Sequence, residues 1–159
     1  MGKTPSWEMT LGRGAIVATA IHDGHQVRDE LKPLMMLDEA TRLREEDPYT
    51  AEFMEVVDHQ VNVAQSRFEY DLNRAPAKAV YQRPEEAWGL QVWKAPLTPA
   101  CVERSRTEHQ RFYNELKPFL LAVQKEHPRF VVLDIHSYNH RRDGNHTPPA
   151  DLKDNPEVN

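Results

Sequence analysis

Residues 14–25 have the sequence GAIVATAIHDGH, a short apolar run that passes directly into a histidine. The run over 14–21 contains β-branched residues, which predicts a strand buried on both faces, as in a parallel sheet. The sequence FVVLDI over 130–135 predicts a second buried strand, and it continues into His136. Ligands of open α/β sheets bind outside the carboxyl ends of the strands. We therefore expect His22 and His136 to converge at one edge of the sheet.

Helical and strand patterns alternate along the chain outward from these two runs. Helices are predicted over 26–37 (interrupted by Pro33), over 38–46 and 49–59 on either side of Pro48, and over 100–126, where Pro118 predicts a kink or break. Strands are predicted over 61–64, 67–72 and 89–94, and a surface loop over 75–88. This alternation predicts an α/β fold with a mixed, mostly parallel sheet.

Length and composition indicate one globular domain over residues 1–159, with 141–159 as an exposed loop or tail. The chain is 39% hydrophobic and 28% charged, and its net charge of -5 argues against nucleic-acid binding or polybasic membrane binding. The single cysteine, Cys101, excludes an internal disulfide and suits a reducing compartment. Because residues 1–10 lack an apolar signal segment, we expect a cytoplasmic location. The oligomeric state is not indicated.

The two strand-end histidines suggest a metal site. Zinc accepts neutral imidazole nitrogen and carboxylate oxygen, and a catalytic zinc keeps one position for water. The third ligand would be another histidine or a carboxylate, and the acidic cluster at 45–47 offers one. Asp134 lies on the same side of its strand as His136 and is positioned to hold the second imidazole nitrogen. The alternative is that both histidines are surface or capping residues, because no CxxC or HExxH pattern is present.

The segment SRFEYDLNR at 66–74 is a second candidate site. Its Asn73 and Arg74 bring together an amide and a guanidinium, and arginine binds carboxylates in a bidentate fork. The alternative is an ion pair between Arg74 and Asp71 or Glu69 on a half-exposed strand.

Three segments together resemble the N-formylglutamate amidohydrolase family. They are IHDG at 21–24, SRFEYDLNR at 66–74 and LDIHS at 133–137, and EDPYT at 46–50 matches an acidic residue that opens a helix in the family. The resemblance implies a fold like that of zinc carboxypeptidases and aspartoacylases, a twisted sheet with helices on both faces. It implies His22, Asp47 and His136 as ligands of one zinc ion, with Glu46 as the alternative to Asp47. It also implies that Asn73 and Arg74, with Arg67 nearby, bind a substrate carboxylate.

The family hydrolyses an N-acyl amide, typically N-formyl-L-glutamate to formate and glutamate. This sequence departs from the pattern at Ile21, where the family usually has proline, and it is short at the C-terminal end. The general base of the family lies in a later segment, so the catalytic base is unassigned, with Glu30 and Asp29 as candidates. The alternatives are a catalytically weak domain that binds metal and carboxylate, or a deacylase of another N-acyl amino acid.

Overall fold

The computed structural model describes residues 6–138 and residue 148, and these form a mixed α/β fold. Four strands make one sheet in the order β1-β3-β2-β4. Strand β1 pairs antiparallel with β3, whereas β2 pairs parallel with both β3 and β4. The strands are β1 (Trp7–Thr10), β2 (Ile16–Ala20), β3 (His59–Val63) and β4 (Val131–Asp134). The predicted α/β class with a mostly parallel sheet is therefore confirmed.

Both faces of the sheet are covered by helical segments, as predicted. Helix α2 (Pro99–Glu126) packs Phe112, Phe119 and Val123 against one face. The 3-10 helix Thr50–Val56 covers the other face, where Met54 packs on β2. Thr98 is the N-cap of α2, and its hydroxyl accepts a hydrogen bond from the backbone N–H of Cys101.

The two predicted strands that precede the histidines both form, but their burial differs. Strand β2 is central in the sheet, and Val17, Ala18 and Ala20 are fully buried. Strand β4 lies at the edge, and all four of its residues are exposed. The prediction that residues 130–135 form a buried strand is therefore wrong with respect to burial. Within residues 6–138, β2 is the only strand that pairs with β4.

Several other predicted elements are shorter or of another type. The helix predicted over 38–46 is confirmed as α1 (Glu39–Glu45), and the one over 100–126 as α2, which continues through Pro118 without a break. In place of helices over 26–37 and 49–59 there are the 3-10 helices Lys32–Leu34 and Thr50–Val56. The helix predicted over 49–59 also extended too far, because His59 is the first residue of β3. Residues 75–88 include two 3-10 helices, Pro76–Lys78 and Pro84–Ala87.

Two predicted strands, over 67–72 and 89–94, are absent from the described sheet. Residues 66–71 form a turn instead, in which the backbone N–H of Glu69 donates to the carbonyl of Ser66 over 3.0 Å. The alternating pattern of 67–72 misled because its charged members are buried in ion pairs. Residues 89–94 contribute only an isolated bridge between Met35 and Trp93.

No helix within residues 6–138 is both long and apolar enough to cross a membrane. The predicted tail over 141–159 lies outside the described residues, apart from Pro148, which is exposed.

We expect Gly24 to be required by the close approach of the loop after β2 to the end of β3. A Cβ atom at this position would lie 2.1 Å from the carbonyl carbon of Ala64. Gly24→Ala should therefore destabilise the protein by about 3 kcal/mol or more, which is severe overpacking against backbone. Denaturant unfolding of this variant measures the change in the free energy of unfolding.

Gly14→Ala is the matched control, because a Cβ at Gly14 meets nothing within 4 Å while its φ is +90°. Its free energy of unfolding should fall only by the cost of a left-handed backbone at a non-glycine residue, about 1–2 kcal/mol. Equal losses in the two variants would show that the close approach at Gly24 is not the constraint.

Candidate metal centre

The structure brings His22, Asp47 and His136 together at the carboxyl edge of the sheet. His22 follows the central strand β2, and His136 follows β4, which is the parallel neighbour of β2. Their ring centroids lie 5.0 Å apart. Asp47 follows α1, and its backbone N–H donates to the carbonyl of His22 over 3.0 Å. One possible ligand atom from each of the three residues lies within 4.8 Å of the others, so together they form what we call the His-Asp-His cluster.

The two histidines are oriented in the same way. Nε2 of His22 lies 2.7 Å from Asp71 Oδ1, and Nε2 of His136 lies 3.0 Å from Asp134 Oδ2. In both residues Nδ1 faces Asp47, at 3.6 Å from His22 and 2.7 Å from His136. Carboxylates that hold the far nitrogen of an imidazole are the usual support of a metal-binding histidine. The contact anticipated between Asp134 and His136 is thus present.

The donor set fits a divalent ion. Nδ1 of His22 is buried, and it has no hydrogen-bond partner among the described residues. Because Asp71 accepts the proton of Nε2, the lone pair of Nδ1 is directed towards the space beside Asp47 and His136. Two imidazole nitrogens and one carboxylate oxygen are a ligand set that zinc accepts.

An ion that binds the cluster would have to displace a proton. Burial raises the pKa of the Asp47 carboxyl, but its hydrogen bond with His136 and the nearby His22 outweigh burial and lower that pKa to about 2. The hydrogen bonds of His136 with Asp134 and then with Asp47 raise the pKa of its imidazole to about 9. A metal that binds Nδ1 of His136 must therefore displace a proton at neutral pH.

Asp71 organises the polar residues behind His22. Besides the His22 contact, its Oδ1 accepts the backbone N–H of Asn73 over 2.8 Å. Its Oδ2 accepts from Arg67 Nη2 over 3.0 Å and also from the hydroxyl of Tyr81. Burial raises the pKa of the Asp71 carboxyl, but the contacts with His22 and Arg67 outweigh burial and hold that pKa well below its usual range. Asp71 is therefore a buried anion with a full set of donors.

Arg67 links Asp71 to the cluster. Its Nη1 lies 3.6 Å from Asp47 Oδ1, and its side chain is only 10% exposed. The guanidinium lies against the indole of Trp88, with Cζ 4.7 Å from the ring centroid, a cation–π contact. Trp88 has a left-handed backbone with φ 53°, a conformation that is uncommon for a bulky residue. The loop that carries Trp88 is thus held in an unfavourable conformation beside Arg67.

The other two predicted substrate-binding residues are exposed. Asn73 and Arg74 follow Asp71 in the turn, and the Arg74 side chain is 43% exposed. Nε of Arg74 lies 3.9 Å from Asp71 Oδ2, which is a weak ion pair. Within residues 6–138 the Arg74 guanidinium makes only this weak ion pair, whereas Arg67 is engaged with two carboxylates.

Glu46, the alternative ligand, belongs to a neighbouring network. Its carboxylate accepts hydrogen bonds from the hydroxyl of Ser66 and from Nδ1 of His25. Arg42 Nη2 lies 2.7 Å from the other nitrogen of His25. Of the two neighbouring carboxylates, Asp47 lies beside His22 and His136, whereas Glu46 faces His25 and Ser66.

The two candidate bases lie elsewhere. Glu30 pairs with Arg104 at 2.7 Å, and Asp29 pairs with Lys32 at 2.7 Å. Both acids line a cavity that none of the three cluster residues lines.

Sequence reasoning gave no role to Tyr81 or Trp88 and treated Asp71 only as a partner of Arg74. The SRFEYDLNR motif could have indicated the role of Asp71, because charged residues that alternate with apolar ones need ion-pair partners when the segment is buried. Tyr81 and Trp88 lie in a segment that was predicted to be a surface loop, and its pattern gave no indication of their contacts.

Comparison with known proteins identifies both a family and a fold. The sequence profile described as N-formylglutamate amidohydrolase matches residues 14–157. A crystal structure of a gene product from Agrobacterium tumefaciens superposes with a TM-score of 0.66 at 18% sequence identity. The match covers 92% of this chain and 60% of that chain, so this chain spans less than two thirds of the length of that protein. No curated protein is significantly similar in sequence.

We expect Asp71→Asn to destabilise the protein strongly. The substitution leaves the buried guanidinium of Arg67 with Asp47 as its remaining carboxylate, at 3.6 Å, and breaking a buried ion pair costs about 3–5 kcal/mol. We place the loss near 3 kcal/mol because that second carboxylate stays. The measurement is the free energy of unfolding at neutral pH in metal-free buffer.

Asp29→Asn is the matched control, since Asp29 is fully exposed and, among the described residues, its ion pair is with the surface residue Lys32. It should leave the unfolding transition almost unchanged. A small effect of Asp71→Asn, similar to that of the control, would contradict the central role of Asp71.

Proposed function

Since the chain belongs to the N-formylglutamate amidohydrolase family, we propose that it hydrolyses the amide bond of an N-acyl acidic amino acid with the help of one zinc ion. The substrate that the family suggests is N-formyl-L-glutamate, which would give formate and glutamate. The observation that carries the proposal is the His-Asp-His cluster, in which both Nδ1 atoms face Asp47 while both Nε2 atoms contact carboxylates.

His22, Asp47 and His136 would hold the ion. An ion held by these residues would supply Lewis-acid chemistry for amide hydrolysis. Asp71 and Asp134 keep the two imidazoles in the orientation that presents Nδ1. Arg67 lies between Asp47 and Asp71, so its charge stabilises both carboxylates in their ionised forms.

Asn73 and Arg74 would bind the carboxylate of the substrate. Arg74 is exposed, follows directly after the turn that carries Asp71, and presents a planar fork suited to a carboxylate. The buried Arg67 adds positive charge behind this pair. Binding the carboxylate of the substrate would hold its acyl group near the cluster, and such positioning of the reacting group raises the rate.

A domain that binds metal and carboxylate but turns over slowly is the second candidate function. It is favoured by the engagement of the nearby carboxylates. Within residues 6–138, Asp71 and Asp134 each hold a histidine, and Asp23 accepts the backbone N–H of Ala51. A general base typically contributes about a hundredfold to ten-thousandfold in rate, so its lack would leave binding intact but slow hydrolysis.

We expect the wild-type protein to bind one zinc ion and to release formate from N-formyl-L-glutamate. His136→Ala should lose both properties, because it removes one of three ligand atoms. Metal analysis after dialysis measures the zinc content, and a formate assay measures turnover, with N-acetyl-L-glutamate as the comparison substrate.

His127→Ala is the matched control, because His127 ends α2 and is not part of the cluster. It should keep its zinc and its rate. An equal zinc content in the wild type and His136→Ala would contradict the proposed metal site. Zinc binding and ligand-induced thermal stabilisation without formate release would select the second candidate function.

Arg74→Lys should weaken the binding of N-formyl-L-glutamate by about tenfold, because a point-charge ammonium does not reproduce a bidentate fork. The melting temperature without ligand should change little, since the side chain is largely solvated. Ligand titration followed by thermal shift gives the affinity whether or not the protein turns over.

Arg83→Lys serves as the control, because Arg83 is exposed and pairs with Glu86 in another loop. Unchanged ligand affinity in Arg74→Lys, together with a lowered melting temperature, would make Arg74 a structural residue.

A further inference from the structure

One face of helix α2 is hydrogen-bonded to residues 72–78, which we call the clamp segment. Three side chains make these bonds, and because they lie three and four positions apart they project on one side of the helix. They are Arg106, His109 and Tyr113. Nε2 of His109 lies 2.9 Å from the carbonyl oxygen of Arg74, and the hydroxyl of Tyr113 donates to the carbonyl of Leu72 over 2.5 Å. Nη2 of Arg106 donates to the carbonyl of Ala77 over 3.0 Å.

The His109 imidazole is a neutral donor to this segment. The residue is buried, with an exposed fraction of 1%. A carbonyl oxygen can only accept, so the proton of the imidazole is on Nε2. Nδ1 is buried and has no hydrogen-bond partner among the described residues, and burial lowers the pKa of the imidazole. The neutral form with its proton on Nε2 is therefore favoured, and it keeps the hydrogen bond to Arg74 at neutral pH.

The clamp segment has little apolar burial of its own. The side chains of residues 73–78 are all exposed, so the hydrophobic effect contributes little to fixing their position. Asp71 accepts the backbone N–H of Asn73 on its carboxylate and the backbone N–H of Arg74 on its carbonyl. The backbone at Asn73 and Arg74 is thus held by Asp71 through its N–H groups and by α2 through flanking carbonyls, while both side chains are exposed.

We infer that His109 and Tyr113 are positioning residues for the substrate carboxylate, which act by fixing the backbone of Asn73 and Arg74. Their role rests on the proposed function, in which Asn73 and Arg74 bind that carboxylate. A guanidinium fork pairs with a carboxylate in a defined geometry, and the backbone that carries the fork sets its direction. Without the donors from α2, the segment would have to be ordered at each binding event, and this ordering lowers affinity.

The test measures how tightly the zinc-loaded protein binds L-glutamate, the product of the proposed reaction, by thermal-shift titration. His109→Phe and Tyr113→Phe each remove one donor and keep an aromatic ring. Each should weaken binding by about threefold to tenfold, the range expected for one neutral hydrogen bond. His109→Gln should restore most of the affinity, because its side-chain amide supplies a donor in place of Nε2.

Thr107→Ala is the matched control on the same helix. It also removes a side-chain donor to a carbonyl, but its acceptor is Glu103 in α2 itself. Its affinity for L-glutamate should equal that of the wild type. Unchanged affinity in both His109→Phe and Tyr113→Phe, while Arg74→Ala binds more weakly, would overturn the inference.

The Arg74→Ala background separates positioning from a general effect on the fold. In that background His109→Phe should still lower the melting temperature as it does in the wild type. It should weaken L-glutamate binding by less than about twofold, because effects that act through one side chain are not additive. Equal weakening in both backgrounds would mean that His109 does not act through Arg74, and it would overturn the inference.

Amide hydrogen exchange in the ligand-free protein gives a readout that does not depend on the proposed function. The amides of Asn73 and Arg74 should exchange about threefold to tenfold faster in Tyr113→Phe than in Thr107→Ala. Tyr113→Phe also decides if His109→Phe does not fold, since it removes only a hydroxyl from a partly exposed side chain. If the wild type does not bind L-glutamate, the proposed carboxylate site fails. Faster exchange then still supports the hold of α2 on the clamp segment, and unchanged exchange overturns it.

Discussion

The buried carboxylate of Asp71 is the interaction on which the site depends. A fully buried anion is costly unless donors surround it, and here they come from four separate positions in the sequence. His22 follows β2, Arg67 and the Asn73 backbone belong to the 66–74 turn, and Tyr81 lies in the loop beyond. Their convergence on one carboxylate fixes the loop after β2 against the turn after β3. The orientation of the first candidate metal ligand is thus a consequence of the same contacts that hold these loops together.

How far the sequence predicted the molecule follows from which interactions are local. The apolar run at 14–21 and the long pattern at 100–126 express burial and helical periodicity, and the corresponding β2 and α2 formed as expected. The turn at 66–74 was mistaken for a strand because alternating polarity is also produced by buried ion pairs. The partners of those residues are distant in sequence, such as Glu69 with Arg28. Local patterns carry no information about such pairs. They also do not reveal the left-handed backbone of Trp88 or its contact with Arg67.

For the site itself, chemistry-bearing residues at strand ends were the useful signal. Two parallel neighbours in one sheet bring their carboxyl ends together, so the meeting of His22 and His136 followed from topology. The choice between Glu46 and Asp47 did not, because adjacent residues after α1 point in different directions. One faces the histidine pair and the other faces His25 and Ser66. The hydrogen bond from the backbone N–H of Asp47 to the carbonyl of His22 holds Asp47 beside the histidines, and this tertiary contact is not visible in the sequence.

The cluster joins parts of the fold that differ in burial. His22 follows the central strand β2, and the backbone of Asp47 is hydrogen-bonded to that of His22. His136 follows the edge strand β4, which pairs with β2 alone within residues 6–138. Segments with few buried contacts open most readily, so β4 is the least constrained support of the three. An ion held by all three residues would add a bond between β4 and β2, and its binding free energy would stabilise the sheet edge directly. Ion affinity at the cluster and the integrity of β4 would then be linked, so that a change that loosens β4 would also weaken ion binding.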